Sequence, residues 1–194
     1  MALSGRFEDA LVFAARLHAD QVRKETTIPY VSHLLSVSAL VLEHGGSEDE
    51  AIAALLHDAV EDQGGRPTLE AIARRFGPAV AGIVDGCTDS ETVPKPPWRQ
   101  RKEAYLAHIA RASSSVRLVS AADKLHNARS ILADYRVSGE ALWDRFTGGR
   151  DGTLWYYRSL VEAFRAAGGT PALAELERVV AELERLSSRA ARGR

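Results

Sequence analysis

Residues 51–62 constrain the fold more than any other stretch: Ala51-Ile52-Ala53-Ala54-Leu55-Leu56-His57-Asp58-Ala59-Val60-Glu61-Asp62. An imidazole and three carboxylates close a run whose other residues are small and apolar. The run holds no Gly or Pro, so it favours a helix, and Leu55, Leu56 and Val60 must face a core. On one continuous helix His57 shares a face with Glu61 and Asp58 with Asp62, because residues four apart are neighbours. Carboxylates this close repel one another, and partly burying them adds a further penalty. A divalent cation removes both penalties. The stretch reads as half of a metal site.

The rest of the chain supplies helices and no convincing run of alternating strands. Ala10, Leu11, Ala14, Leu17 and His18 follow a helical period within residues 7–20. Pro29 sits where a second helix, residues 30–44, can begin, and Gly45-Gly46 ends it. Ser47 with Glu50 is a capping-box start for a third helix, which carries the acidic cluster and stops at Gly64-Gly65. Further helices are expected over residues 69–76 (capped by Thr68), 79–87, 99–112, 116–132, 141–146, 152–167 and 171–187, with 88–97 as a surface loop. The expectation is an all-α bundle of roughly nine to ten helices in a single domain, residues 1–187. Residues 188–194 are expected to be a frayed tail.

A chain of 194 residues is long enough for one good-sized core. Its net charge of −1 gives no reason for bulk attraction to nucleic acid or anionic membrane, so any basic site must be local. The single cysteine, Cys87, excludes an internal disulfide and a cysteine-built zinc cage, and suits a reducing cytoplasm. The first residues, with Glu8 and Asp9, do not read as a signal peptide, and no apolar run approaches the roughly 20 residues of a membrane helix. A cytoplasmic protein is expected.

His33 lies among Val31, Leu34, Leu35 and Val37, where a core histidine bonded to a backbone carbonyl is the simpler account. His57-Asp58 changes that balance. Asp123 adds to it, since it ends the apolar run Leu118-Val119-Ser120-Ala121-Ala122, which a charge does not enter without a partner. Together these residues form a mixed nitrogen and oxygen set suited to manganese, with zinc, iron or magnesium as alternatives.

His33, His57-Asp58 and Asp123 resemble the H…HD…D pattern of the HD-domain metal-dependent phosphohydrolases. More specific words surround them: Ala14-Ala15-Arg16-Leu17-His18, Arg23-Lys24, Pro29-Tyr30-Val31-Ser32-His33, Phe76-Gly77 and Ala122-Asp123-Lys124-Leu125-His126-Asn127. These look like the RelA/SpoT hydrolase domain, over residues 7–132 closely and more loosely beyond. The resemblance implies one manganese ion on His33, His57, Asp58 and Asp123, with Glu61 and Asp62 as the catalytic acidic pair. It implies a stand-alone small alarmone hydrolase that removes the 3′-pyrophosphate from ppGpp-type nucleotides. Arg23 and Lys24 match the family's basic substrate-binding pair, and Asn127 and Ser130 its sugar and phosphate contacts. Lys124 reads equally as a surface lysine. Other readings are an HD phosphohydrolase for another nucleotide and a non-catalytic module that binds an alarmone.

Two segments depart from the family's pattern. Asp89-Ser90-Glu91 stands where Asp-Asp-Lys is common, leaving Lys95, Arg99, Arg101 or Lys102 to meet phosphate, or else a different substrate. The Gly-rich stretch from Phe146 to Tyr157, with Arg150, reads either as a flap over phosphate or base or as a helix connection followed by core aromatics.

Overall fold

The computed structural model describes residues 2–88, 94 and 96–192. Among these the chain is all-α, and its one β feature is an isolated bridge between Val22 and Pro29. The helices are α1 (Gly5–Leu17), α2 (Val31–Glu43), α3 (Glu48–Leu56), α4 (Ala59–Asp62), α5 (Arg66–Phe76), α6 (Pro78–Cys87), α7 (Trp98–Ile109), α8 (Ser114–Ser138), α9 (Gly149–Ala166) and α10 (Leu173–Arg192). A 3-10 helix, Gly139–Arg145, joins α8 to the loop before α9.

The apolar run dictates the centre of the bundle. Residues Ala51, Ile52, Ala53, Ala54, Leu55 and Leu56 are all fully buried, so α3 needs neighbours on every side. It has them in α1, α2, α6 and α8. The capping box starts α3 as expected: Ser47 Oγ accepts from Glu50 N–H, and the Glu50 carboxylate accepts from Ser47 N–H at 2.7 Å. The turn before it is tight. A Cβ on Gly46 would lie 2.5 Å from Val41 Cγ1 and 2.8 Å from the Val41 carbonyl oxygen, and Gly45 has a φ of 81°.

The third helix does not run on to Gly64 as one piece. α3 ends at Leu56, and Asp58 takes φ −95° and ψ −2° before α4 begins. Those angles lie in the bridge region, not in the helical well. Successive residues on a regular helix point about 100° apart, which would separate the two side chains. The break lets His57 and Asp58 converge.

Other boundaries differ by smaller amounts. Thr68 does not cap α5; Gly65 precedes the helix, and the Thr68 hydroxyl donates to the Gln63 carbonyl at 2.6 Å. α8 continues to Ser138 because residues beyond 132 still bury Tyr135 against Trp143, and Gly139 with φ 59° ends it. α10 continues to Arg192, past the end expected at residue 187. Its buried Leu176, Val180 and Leu183 dock on α8 and α9, and Arg129–Glu175, Arg158–Glu184 and Arg165–Glu177 pairs flank that seam.

Candidate metal centre and adjoining cleft

Three elements deliver four side chains to one point. α2 supplies His33, the α3–α4 break supplies His57 and Asp58, and the middle of α8 supplies Asp123. Asp58 Oδ2 lies 3.0 Å from His57 Nε2 and 3.5 Å from His33 Nε2, and Asp123 Oδ1 lies 3.2 Å from His33 Nε2. His33, His57 and Asp123 are buried, and His33, His57 and Asp58 each present a donor atom within 4.8 Å of the others.

The donor chemistry fits a divalent ion. The His57 Nδ1–H donates to the Ala54 carbonyl at 2.8 Å, which fixes the tautomer and aims Nε2 inward. That inward nitrogen is buried without a hydrogen-bond partner, a position a metal would fill. His33 Nδ1 lies 2.8 Å from His126 Nδ1, so one of the two carries the shared proton. With the proton on His33, its Nε2 is a free lone pair facing the carboxylates. Asp123 Oδ1 accepts from Asn127 Nδ2 at 2.6 Å, and its Oδ2 accepts from Lys124 Nζ at 2.6 Å. Asp58 Oδ2 accepts from the Tyr30 hydroxyl at 2.5 Å.

Charge in this ring is balanced closely. Burial works against the ionised forms of His57, Asp58 and Asp123, yet opposite charges prevail. His57 is raised well above the ordinary imidazole range, chiefly by Asp58. Asp123 is held well below the carboxylate range chiefly by the Lys124 ammonium, with His57 adding to it. His126 goes the other way: burial, with His33 and Arg23 beside it, lowers it to about 4, so it stays neutral at pH 7.

The acids of α4 follow Asp58 by one turn and are not among the residues that line the cleft beside the ring; Asp62 lines a separate small recess with Arg16, Asp20, Gln21 and Gln63. Asp62 accepts from Gln21 Nε2 at 2.8 Å, and its carboxyl is raised by desolvation and by the neighbouring Asp58 and Glu61 charges, against the Gln21 donor. Glu61 is half-buried on the same turn.

A cleft of about 760 Å³ opens beside the ring. Tyr30, His126 and Asn127 line it and also bond to ring members, so cleft and ring are continuous. Arg23, Lys24, Asn127 and Ser130, the residues singled out for substrate, all line it. Arg23 reaches across to Asn127 Oδ1 at 3.0 Å, while Lys24 Nζ donates to the Arg145 carbonyl at 3.0 Å. Of the cations named to replace the missing loop lysine, Lys102 lines the cleft, with its ammonium 5.0 Å from the Tyr156 ring. Arg99 stacks on Trp155 and pairs with Glu103, and Arg101 bonds the Pro96 carbonyl. Asp89, Ser90, Glu91 and Lys95 lie outside the described residues.

The Gly-rich stretch takes a middle course between its two readings. Phe146, Thr147, Thr153, Tyr156 and Tyr157 line the cleft, whereas Arg150 is held by Glu140, Asp151 and the Ser187 carbonyl. Gly148 and Gly152 let the Trp98 indole lie against the start of α9; a Cβ on Gly148 would meet it at 2.7 Å. Sequence reasoning assigned no role to Tyr30, His126 or Gln21, and left Lys124 open. Tyr30 and His126 each stand inside a family-like word, and that position was the available signal.

The family model described as HD domain matches residues 10–154, a span that holds the whole ring and most of the cleft lining. The chain belongs to the HD-domain family. It is 33% identical over 177 residues to the guanosine-3′,5′-bis(diphosphate) 3′-pyrophosphohydrolase MESH1 of Drosophila melanogaster, covering 90% of this chain and 91% of that one. The MESH1 of Xenopus tropicalis is 40% identical over 126 residues, 63% of this chain and 68% of that protein. A solved structure described as a metazoan ortholog of SpoT that hydrolyzes ppGpp superposes with a TM-score of 0.76 at 28% identity, over 92% of this chain and 96% of its own.

Proposed function

We propose that the protein is a manganese-dependent hydrolase that removes the 3′-pyrophosphate from a guanosine 3′,5′-bis(diphosphate)-type nucleotide. The observation that carries this reading is the junction of the ring with a basic, aromatic cleft through Tyr30, His126 and Asn127. Relatives of nearly the same length bear that activity in their names. Water adds across the 3′ O–P bond, its hydroxyl passing to phosphorus and its proton to the ribose oxygen. The products are pyrophosphate and a nucleoside 5′-di- or triphosphate.

His33, His57, Asp58 and Asp123 would hold the ion, and two imidazoles with two carboxylates suit manganese. The ion supplies Lewis acidity toward water and toward a phosphoryl oxygen. Glu61 and Asp62, just beyond the ligands, orient and deprotonate the attacking water. Arg23, preset by its bond to Asn127, forks onto phosphate or stacks on the base. Lys24 exchanges the Arg145 carbonyl for a phosphate oxygen. Asn127 and Ser130 face the sugar, and Tyr156 and Tyr157 offer flat apolar area to the base. A nucleotide substrate and a single thiol agree with a cytoplasmic setting.

The test is a panel of guanine and adenine 3′-pyrophosphorylated nucleotides, with manganese and inorganic pyrophosphatase, read as phosphate release. Release that depends on pyrophosphatase, with one nucleoside 5′-diphosphate per turnover from ppGpp, is the expected result. Orthophosphate without pyrophosphatase, or no release from any member of the panel, would overturn the reading.

A further inference from the structure

The loop between α1 and α2 contains a side-chain cluster that the mechanism above does not use. His18 is buried at the end of α1, with its Nδ1 2.6 Å from Gln21 Oε1. Gln63, just past α4, brings its Nε2 to 2.7 Å from the same oxygen. Gln21 Nε2 then lies 2.8 Å from Asp62 Oδ2. The directions of these bonds follow from one fact. An ionised Asp62 only accepts, so the Gln21 atom facing it must be the amide nitrogen. The carbonyl oxygen must therefore face His18 and Gln63, and both present N–H groups to it. The backbone clamps the same residue, with Gln21 N–H donating to the His18 carbonyl at 3.1 Å and Tyr30 N–H donating to the Gln21 carbonyl at 2.9 Å. Every polar group of Gln21 is engaged, and one amide hydrogen is aimed at Asp62.

We infer that Gln21 is a positioning residue for the reaction: His18 and Gln63 lock its amide, and the amide holds the Asp62 carboxylate toward the water that is attacked. The inference rests on the proposed role of Asp62. Asp62 is exposed on a single-turn helix, so its rotamer is not fixed by packing. A donor on its outer oxygen selects one orientation and leaves the other oxygen to act. The Gln21 side chain bonds only His18, Gln63 and Asp62, and of these only Asp62 has a part in the proposed reaction.

Two substitutions separate this role from plain packing. Gln21→Glu keeps the shape and the oxygen that accepts from His18 and Gln63, but has no proton for Asp62 and repels it. Gln21→Met removes both functions. Each is expected to lower kcat at least ten-fold, with KM within two-fold of wild type and metal stoichiometry unchanged. In an Asp62→Asn background, Gln21→Met should cost no further activity, since a positioning residue acts only through its target. A crystal structure of Gln21→Met should show the Asp62 carboxylate turned from its present place. Wild-type kcat in Gln21→Glu beside a slow Asp62→Asn would overturn the inference alone. An equal loss from Gln21→Met with and without Asp62 would also overturn it. Wild-type turnover in Asp62→Asn would instead retire the proposed role of that acid, and the inference with it.

Discussion

His57 is held from behind by the Ala54 carbonyl and faces two carboxylates in front, so its removal leaves Asp58 and Asp123 to repel each other across a gap. His57→Ala and Asp58→Ala are each expected to abolish metal retention, measured by elemental analysis after gel filtration, while far-ultraviolet circular dichroism stays helical. Full stoichiometry in both variants would remove these residues from the ligand set. Glu61 tests a different link. It lies beyond the ring, so Glu61→Gln should keep the metal and lose about 10²–10⁴-fold in turnover, the usual range for a general base. A variant that loses the metal would make Glu61 a ligand. That His33, His57, Asp58 and Asp123 meet was readable in the sequence, because an ionisable residue in an apolar run needs a partner. Tyr30, His126 and Gln21 were harder to assign, since a tyrosine, a histidine or a glutamine near a loop has many ordinary uses. Only contact with the ring or with Asp62 distinguishes them.

At the scale of elements, the site depends on where helices stop. The break at His57–Asp58 turns two adjacent side chains toward one point, and the Gly45-Gly46 turn sets α2 against α3 so that His33 meets them. Gly46→Ala drives a Cβ into the Val41 backbone and side chain. Strain of this kind costs about 1–3 kcal/mol, and a melt of a chain this size shifts about 2–4 °C per kcal/mol. A lowered Tm with reduced metal affinity is expected, and an unchanged Tm would show that the turn yields freely. The capping box at Ser47 was legible because its chemistry is local. The interruption after Leu56 was not, because Ala59 and Glu61 favour a helix, Val60 and Asp62 tolerate one, and no Gly or Pro marks the break.

For the whole molecule, the ring joins α2, the α3–α4 break and α8, elements far apart in sequence. An ion bound there stabilises only the folded chain, by about 2.7 kcal/mol at a hundred-fold excess over its Kd. Thermal melts should therefore rise with manganese concentration and fall on chelation. Melts insensitive to both would mean that no ion bridges these helices. The seam of α10 is closed by apolar burial and by Arg–Glu pairs with α8 and α9. No helix of the described residues is long and apolar enough to cross a membrane.

The sequence by itself determined the helical class, the burial of residues 51–56 and the identity of the residues that meet in the ring. Helical period, caps and the cost of burying charge are local, and each can be judged from a few neighbouring residues. Tertiary structure decided the rest. It broke the third helix, aimed His57 Nε2 at the carboxylates and placed His126 behind His33. It also tied Lys24 to Arg145, brought Tyr156 and Tyr157 into the cleft wall and turned Arg150 away. Each of these outcomes depends on which helix packs beside which, and no local preference carries that information.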